Sequence, residues 1–123
     1  MDSFFHPRLL FLALLLAAGG ASADGDAMRG KALYQARCTS CHSIEYNGVG
    51  PAHAGVFGRK AGLAPGYAYS PALQNAAIVW NERNLARWLA NPERLVPGQK
   101  MGVSVASAKE RADLIAFLKL QAH

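Results

Sequence analysis

Only two cysteines, Cys38 and Cys41, occur in the 123 residues, and that scarcity narrows the chemistry at once. A structural zinc site needs four ligands, usually from two such pairs. Beyond His42 the chain has only three histidines, none at finger or ribbon spacing. After the N-terminal stretch no apolar run approaches the roughly 20 residues that a membrane-spanning helix requires. Alternating strand patterns, internal repeats and low-complexity tracts are also missing, which leaves an all-α domain as the expected fold class. Basic residues outnumber acidic ones, 13 to 8, for a formal net charge of +5. They are scattered, without the clustered, aromatic-interleaved run of a nucleic-acid face, so no nucleic acid is expected as a partner.

What the two cysteines do have is each other and a histidine: Cys38-Thr39-Ser40-Cys41-His42 is a C-x-x-C-H run. Covalent haem attachment needs two thiols spaced to reach the two vinyl groups of the porphyrin, followed by an imidazole placed to ligate the iron. A thioredoxin-like redox pair would sit at the end of a strand in a βαβ pattern. Here the pair closes a helical segment and no strand precedes it.

The N-terminus points the same way. Arg8 gives a short basic region, Leu9 to Ala18 is unbroken apolar, and Ala21-Ser22-Ala23 is an A-x-A cleavage signal before Asp24. Residues 1–23 read as a secretory signal peptide and 24–123 as a single domain, exported and without a transmembrane segment. Cleavage at that point leaves 12 basic and 7 acidic residues, so the charge persists and suits steering towards acidic redox partners. In an oxidising compartment two cysteines would ordinarily form a disulfide, but thioether bonds to haem account better for a pair followed by histidine.

Along the domain, Gly30, Leu33, Tyr34 and Arg37 recur at helical spacing and predict a helix over Met28 to Cys38 with one packing face. Ser43 to Gly66 is glycine-rich loop. Ser70-Pro71 opens a short helix to about Ala77, and Asn81 caps another that carries Leu85, Trp88 and Leu89 on one face until Asn91-Pro92. Leu95 to Ala106 reads as extended loop. Ser107-Ala108-Lys109-Glu110 reads as a capping box opening a last helix with Leu114, Phe117 and Leu118. The small-plus-aromatic faces of the first and last helices, Gly30 with Tyr34 and Leu114 with Phe117, suit a close crossing. For a sixth iron ligand the candidates are Met28, on the first helix, and Met101, in a Pro-Gly loop with little core to fill. Met101 is the expected ligand.

With these motifs in hand, the chain resembles the class I cytochromes c, the branch shared by mitochondrial cytochrome c and bacterial periplasmic relatives. The likeness covers essentially all of the domain. It runs from Gly30-Lys31-Ala32-Leu33-Tyr34 and Cys38-x-x-Cys41-His42 through Gly50-Pro51, Val56-Phe57-Gly58-Arg59-Lys60, Ala64-Pro65-Gly66-Tyr67, Tyr69-Ser70, Trp80, Asn91-Pro92 and Pro97-Gly98-x-Lys100-Met101 to Arg111-Ala112-Asp113-Leu114-Ile115-Ala116-Phe117-Leu118. The resemblance implies a fold in which N- and C-terminal helices cross and shorter helices and loops wrap one haem c, bound through Cys38 and Cys41. It also implies proximal His42, distal Met101, and a Pro51 carbonyl receiving the histidine's other ring N–H. Tyr69 and Trp80 match hydrogen-bond donors to a haem propionate and Arg59 a basic group near it.

Four places depart from the family's pattern. Trp88 stands where relatives place a tyrosine beside the methionine sulfur, and an indole can only donate. Gln99 replaces a threonine, and the Gly102-Val103-Ser104-Val105 segment lacks a shielding aromatic, so a looser methionine loop and a wetter haem of lower potential are expected. His53 occupies the place of a leucine. It reads either as a titrating group or replacement ligand, or, more plainly, as a neutral loop histidine with one hydrogen bond. The function implied is one-electron carriage in the bacterial periplasm by a monomer without enzymatic activity. Its partners would be a donor dehydrogenase or cytochrome complex and an acceptor oxidase or reductase. Two further readings stay open: a dedicated haem subunit of a periplasmic dehydrogenase, such as a sulfite-oxidising complex, and, if Met101 does not ligate, an open-site sensor or peroxidase.

Overall fold

Asp26 accepts a hydrogen bond from the Arg29 N–H at 2.9 Å and so starts the first helix, α1 (Ala27–Arg37). The computed structural model describes residues 25–121. The signal-peptide segment 1–23 and the terminal His123 lie outside them. Three shorter helices follow: α2 (Pro71–Gln74), α3 (Glu82–Ala90) and α4 (Pro92–Leu95); α5 (Ala108–Lys119) closes the domain. Each begins at a side-chain cap, on Ser70, Asn81, Asn91 and Ser107 respectively. No β-strand forms among the described residues; an antiparallel bridge between Lys60 and Val79 joins the loop that carries Arg59 to the loop that carries Trp80.

The α1/α5 crossing is the centre of the packing. A Cβ on Gly30 would fall on the Asp113 backbone carbonyl, and one on Gly25 on that of Ala112, so both glycines serve close backbone approach. Tyr34 then meets Phe117 with ring centroids 5.1 Å apart. Asp113 is only 2% exposed, yet fully partnered: its Oδ1 accepts the Asp26 N–H at 2.7 Å and its Oδ2 the Arg29 Nε–H at 3.1 Å. The carboxylate thereby pins the N-terminus of α1, where the helix dipole also favours negative charge, to α5. Leu85 and Trp88 of α3 join Leu114, Ile115 and Leu118 of α5 in the same core.

Three local expectations change. The helix opened by Ser70-Pro71 ends at Gln74 rather than Ala77, because no buried residue holds its last turn down. Asn91-Pro92 stops α3 and also starts α4: the Asn91 side chain accepts the Arg94 N–H at 3.1 Å, and proline takes the first helical position, where no N–H is needed. Of the capping box at Ser107 one half forms, Ser107 Oγ accepting the Glu110 N–H at 3.2 Å. The Glu110 carboxylate instead pairs with Arg37 of α1 at 3.0 Å, a second tie across the crossing.

Candidate functional site

The helical winding of α1 runs on through the two cysteines. Cys38 N–H donates to the Tyr34 carbonyl (2.9 Å), Cys41 N–H to the Cys38 carbonyl (3.1 Å), and His42 N–H to the same oxygen (2.8 Å). Residues three and four apart in such a turn share a side, so Cys38, Cys41 and His42 are presented together. Neither cysteine is in a disulfide. Burial pushes the Cys38 thiol pKa up, with Arg37 opposing only in part. A thiol held protonated is a poor redox nucleophile, which argues against thioredoxin-type chemistry.

His42 is half-buried, and its Nδ1 lies 2.8 Å from the Pro51 carbonyl oxygen. A carbonyl only accepts, so Nδ1 carries the proton. Burial lowers the pKa of His42 more than this hydrogen bond raises it, which keeps the ring neutral. A neutral ring protonated at Nδ1 leaves the Nε2 lone pair free. Gly50 packs so closely on the imidazole that a Cβ there would overlap it. His53 stacks on the same ring, centroids 4.0 Å apart and planes inclined by 21°.

The remaining residues singled out from the sequence are placed as follows. Arg59 donates from Nη1 to the Ala54 carbonyl at 3.1 Å, while its Nε is buried without a partner. Tyr69 accepts the Ala64 N–H on its hydroxyl oxygen at 2.9 Å, which leaves its own O–H proton free to donate. Trp80 and Trp88 are buried edge-to-face, centroids 5.2 Å apart. Met101 is half-buried and packs against the core, whereas Met28 is 77% exposed on α1. Gly98, at φ 89°, turns the loop that carries Met101.

Two features escape a reading of the sequence. The Tyr34 hydroxyl meets His53 Nδ1 at 3.0 Å, and burial holds the His53 pKa down to about 3, with the neighbouring His42 and Arg59 contributing. His53 is thus the neutral histidine with one hydrogen bond. A tyrosine in an apolar stripe is the signal that could have found this pair, since its hydroxyl needs a partner. Gln99, in turn, is not free. It is bonded at both ends, to Glu93 at 3.2 Å and to the Met101 N–H at 2.6 Å, so the loop is more firmly held than its sequence suggests.

The residues present fit a haem: paired thiols beside a neutral imidazole, a glycine leaving room at that ring, and a buried guanidinium nitrogen lacking an acceptor such as a propionate oxygen. That set defines a c-type cytochrome. The cytochrome c family model matches residues 27–121, and the chain belongs to this family. It is similar to cytochrome c of Euglena viridis, at 49% identity over 98 residues (77% of this chain and 96% of that one). Cytochrome c2 of Rhodomicrobium vannielii is 40% identical over 113 residues, covering 89% and 90% of the two chains. The solved structure of cytochrome cH from Methylobacterium extorquens superposes with a TM-score of 0.75 at 45% identity, over 77% of this chain and 98% of that one. The protein is accordingly an electron carrier rather than an enzyme, it works with redox partners, and Cys38 and Cys41 fit covalent attachment of haem c.

Proposed function

We propose that the protein is a periplasmic, single-haem shuttle in which His42 and Met101 are the axial iron ligands. The observation that carries the proposal is the Pro51 carbonyl on His42 Nδ1 at 2.8 Å, which sets the tautomer in which Nε2 is a ligand. When bound, the haem supplies a one-electron Fe(III)/Fe(II) couple; the chain holds its potential, keeps competing ligands out and presents it to partners. Of the two methionines in the described residues, Met101 is the one packed inward, which supports it as the distal ligand. Arg59 Nε and the Tyr69 hydroxyl are supported as propionate donors by the hydrogen-bonding capacity they have left over. Trp80 is proposed as a further propionate donor, and Trp88, edge-to-face against it, as the side chain beside the Met101 sulfur.

No described helix is long and apolar enough to cross a membrane. Periplasmic location rests on the A-x-A signal ahead of Asp24 and on the attachment chemistry of the C-x-x-C-H run. The test of ligation is the optical spectrum of the oxidised, haem-loaded protein. A weak methionine-to-iron charge-transfer band near the red edge of the visible, lost in Met101→Ala, is expected. Its absence at neutral pH, together with carbon monoxide binding to the reduced form, would turn the assignment to an open-site sensor or peroxidase.

A further inference from the structure

Glu93 and Gln99 form a hydrogen-bonded chain that ends on the backbone of Met101. Glu93 Oε1 accepts the Gly98 N–H at 2.8 Å, Gln99 Nε2 donates to Glu93 Oε2 at 3.2 Å, and Gln99 Oε1 accepts the Met101 N–H at 2.6 Å. Glu93 sits in the first turn of α4, so the chain ties a helix to the loop at two points, on either side of Gln99 and Lys100.

The direction of this chain is fixed by chemistry. A carboxylate has no proton to give, and a backbone N–H can only donate. The Gln99 amide has one end of each kind. It therefore satisfies both neighbours in a single orientation, NH₂ towards Glu93 and oxygen towards Met101. We propose that Glu93 and Gln99 are positioning residues for Met101, a clamp in which the carboxylate orients the amide and the amide holds the Met101 backbone. The proposal rests on Met101 being the distal ligand. Opening the loop is the step that would expose the iron to an outside ligand, and the clamp makes that opening cost the hydrogen bonds that cross it.

Because the chain is directional, single substitutions and their combination are predicted to behave differently. Glu93→Gln keeps the shape but lets the new amide meet the Gln99 NH₂ with an NH₂, unless one of the two flips and loses its backbone partner instead. Gln99→Glu places a carboxylate against a carboxylate. Together, Glu93→Gln and Gln99→Glu restore all three bonds with the donor and acceptor roles exchanged. The introduced amide accepts the Gly98 N–H and donates across, and the introduced carboxylate accepts from both sides.

The experiment uses the haem-loaded, oxidised protein and measures the rate of cyanide association and the temperature at which the methionine-to-iron band fades. Far-UV circular dichroism serves as the record of global unfolding. Either single variant is expected to speed cyanide association about tenfold, the change that goes with losing one to two net hydrogen bonds, and to fade the band at a lower temperature without an equal fall in global unfolding. The double variant is expected to return both towards wild type. Strictly additive effects in the double variant, or single variants with wild-type rates, would overturn the clamp while the wild-type band still upheld Met101 ligation. A wild-type spectrum without that band would overturn the ligation and the clamp together.

Discussion

Tyr34 carries a hydroxyl into a position only 4% exposed, and its one hydrogen bond goes to the ring of His53. Burial also raises the pKa of Tyr34, so the phenol stays protonated and can donate to the neutral imidazole. Each residue makes the other tolerable: the histidine without the phenol leaves Nδ1 unpaired, and the phenol without the histidine leaves a buried hydroxyl unpaired. Tyr34→Phe alone is expected to cost about 1–2 kcal/mol in urea unfolding of the haem-loaded protein. Adding His53→Leu should recover most of that loss, because replacing both partners by apolar groups removes the unsatisfied atom. Equal or additive losses would show that the pair is not a unit. The same pair marks a limit of what the sequence discloses. Cys38, Cys41 and His42 are legible because their spacing is local and the attachment chemistry demands it. His53 and Tyr34 are 19 residues apart, and nothing in either segment names the other.

The ends of the helices show the same division at the scale of elements. α3 and α5 are readable because a cap and a repeated apolar face agree, and α1 from its residue spacing alone, its Asp26 cap emerging only in the structure. α4 is hidden because Asn91-Pro92 is equally a stop for one helix and a start for the next, and the structure uses it as both. Gly30 and Asp113 decide the α1/α5 crossing. In Gly30→Ala the new methyl meets a backbone carbonyl that cannot swing aside, so a loss of about 1–3 kcal/mol or more is expected, seen as a lower urea midpoint. Asp113 carries a pH dependence. The Asp26 N–H, then Arg29, hold its carboxyl below the usual aspartate value, and Lys109 adds to this. A carboxylate whose folded pKa is depressed stabilises the fold above its unfolded pKa of about 3.9. That contribution is lost as pH falls from there through the lower folded value. The stability gap between wild type and Asp113→Asn should therefore be widest near neutrality and close on acidification through that window. A gap that stays constant down to the acid limit would assign the carboxylate only a shape-filling part.

For the molecule as a whole, the balance of charge sets how it meets its partners. The formal net charge is +5, and some of the cations are already engaged: Arg37 with Glu110, and Arg29 with Asp26 and Asp113. Lys60 and Lys100 are exposed and lie in the segments flanking Arg59 and Met101, which places positive charge beside the proposed haem residues. A shuttle must find its partner quickly and leave it quickly, and long-range attraction speeds the first without adding much to the second. The second-order rate of electron transfer to an acidic protein acceptor should thus fall steeply between about 0.01 and 0.15 M salt, as the screening length shrinks from about 30 to about 8 Å. Transfer to a small uncharged oxidant should hardly change over the same range. Lys60→Glu with Lys100→Glu should lower the low-salt rate and flatten the salt dependence, leaving the uncharged oxidant's rate alone. The opposite pattern, co-elution with one partner at physiological salt and a first-order, salt-independent rate, would identify a dedicated subunit bound for good to its dehydrogenase. Weak, screened attraction belongs to a carrier that must let go.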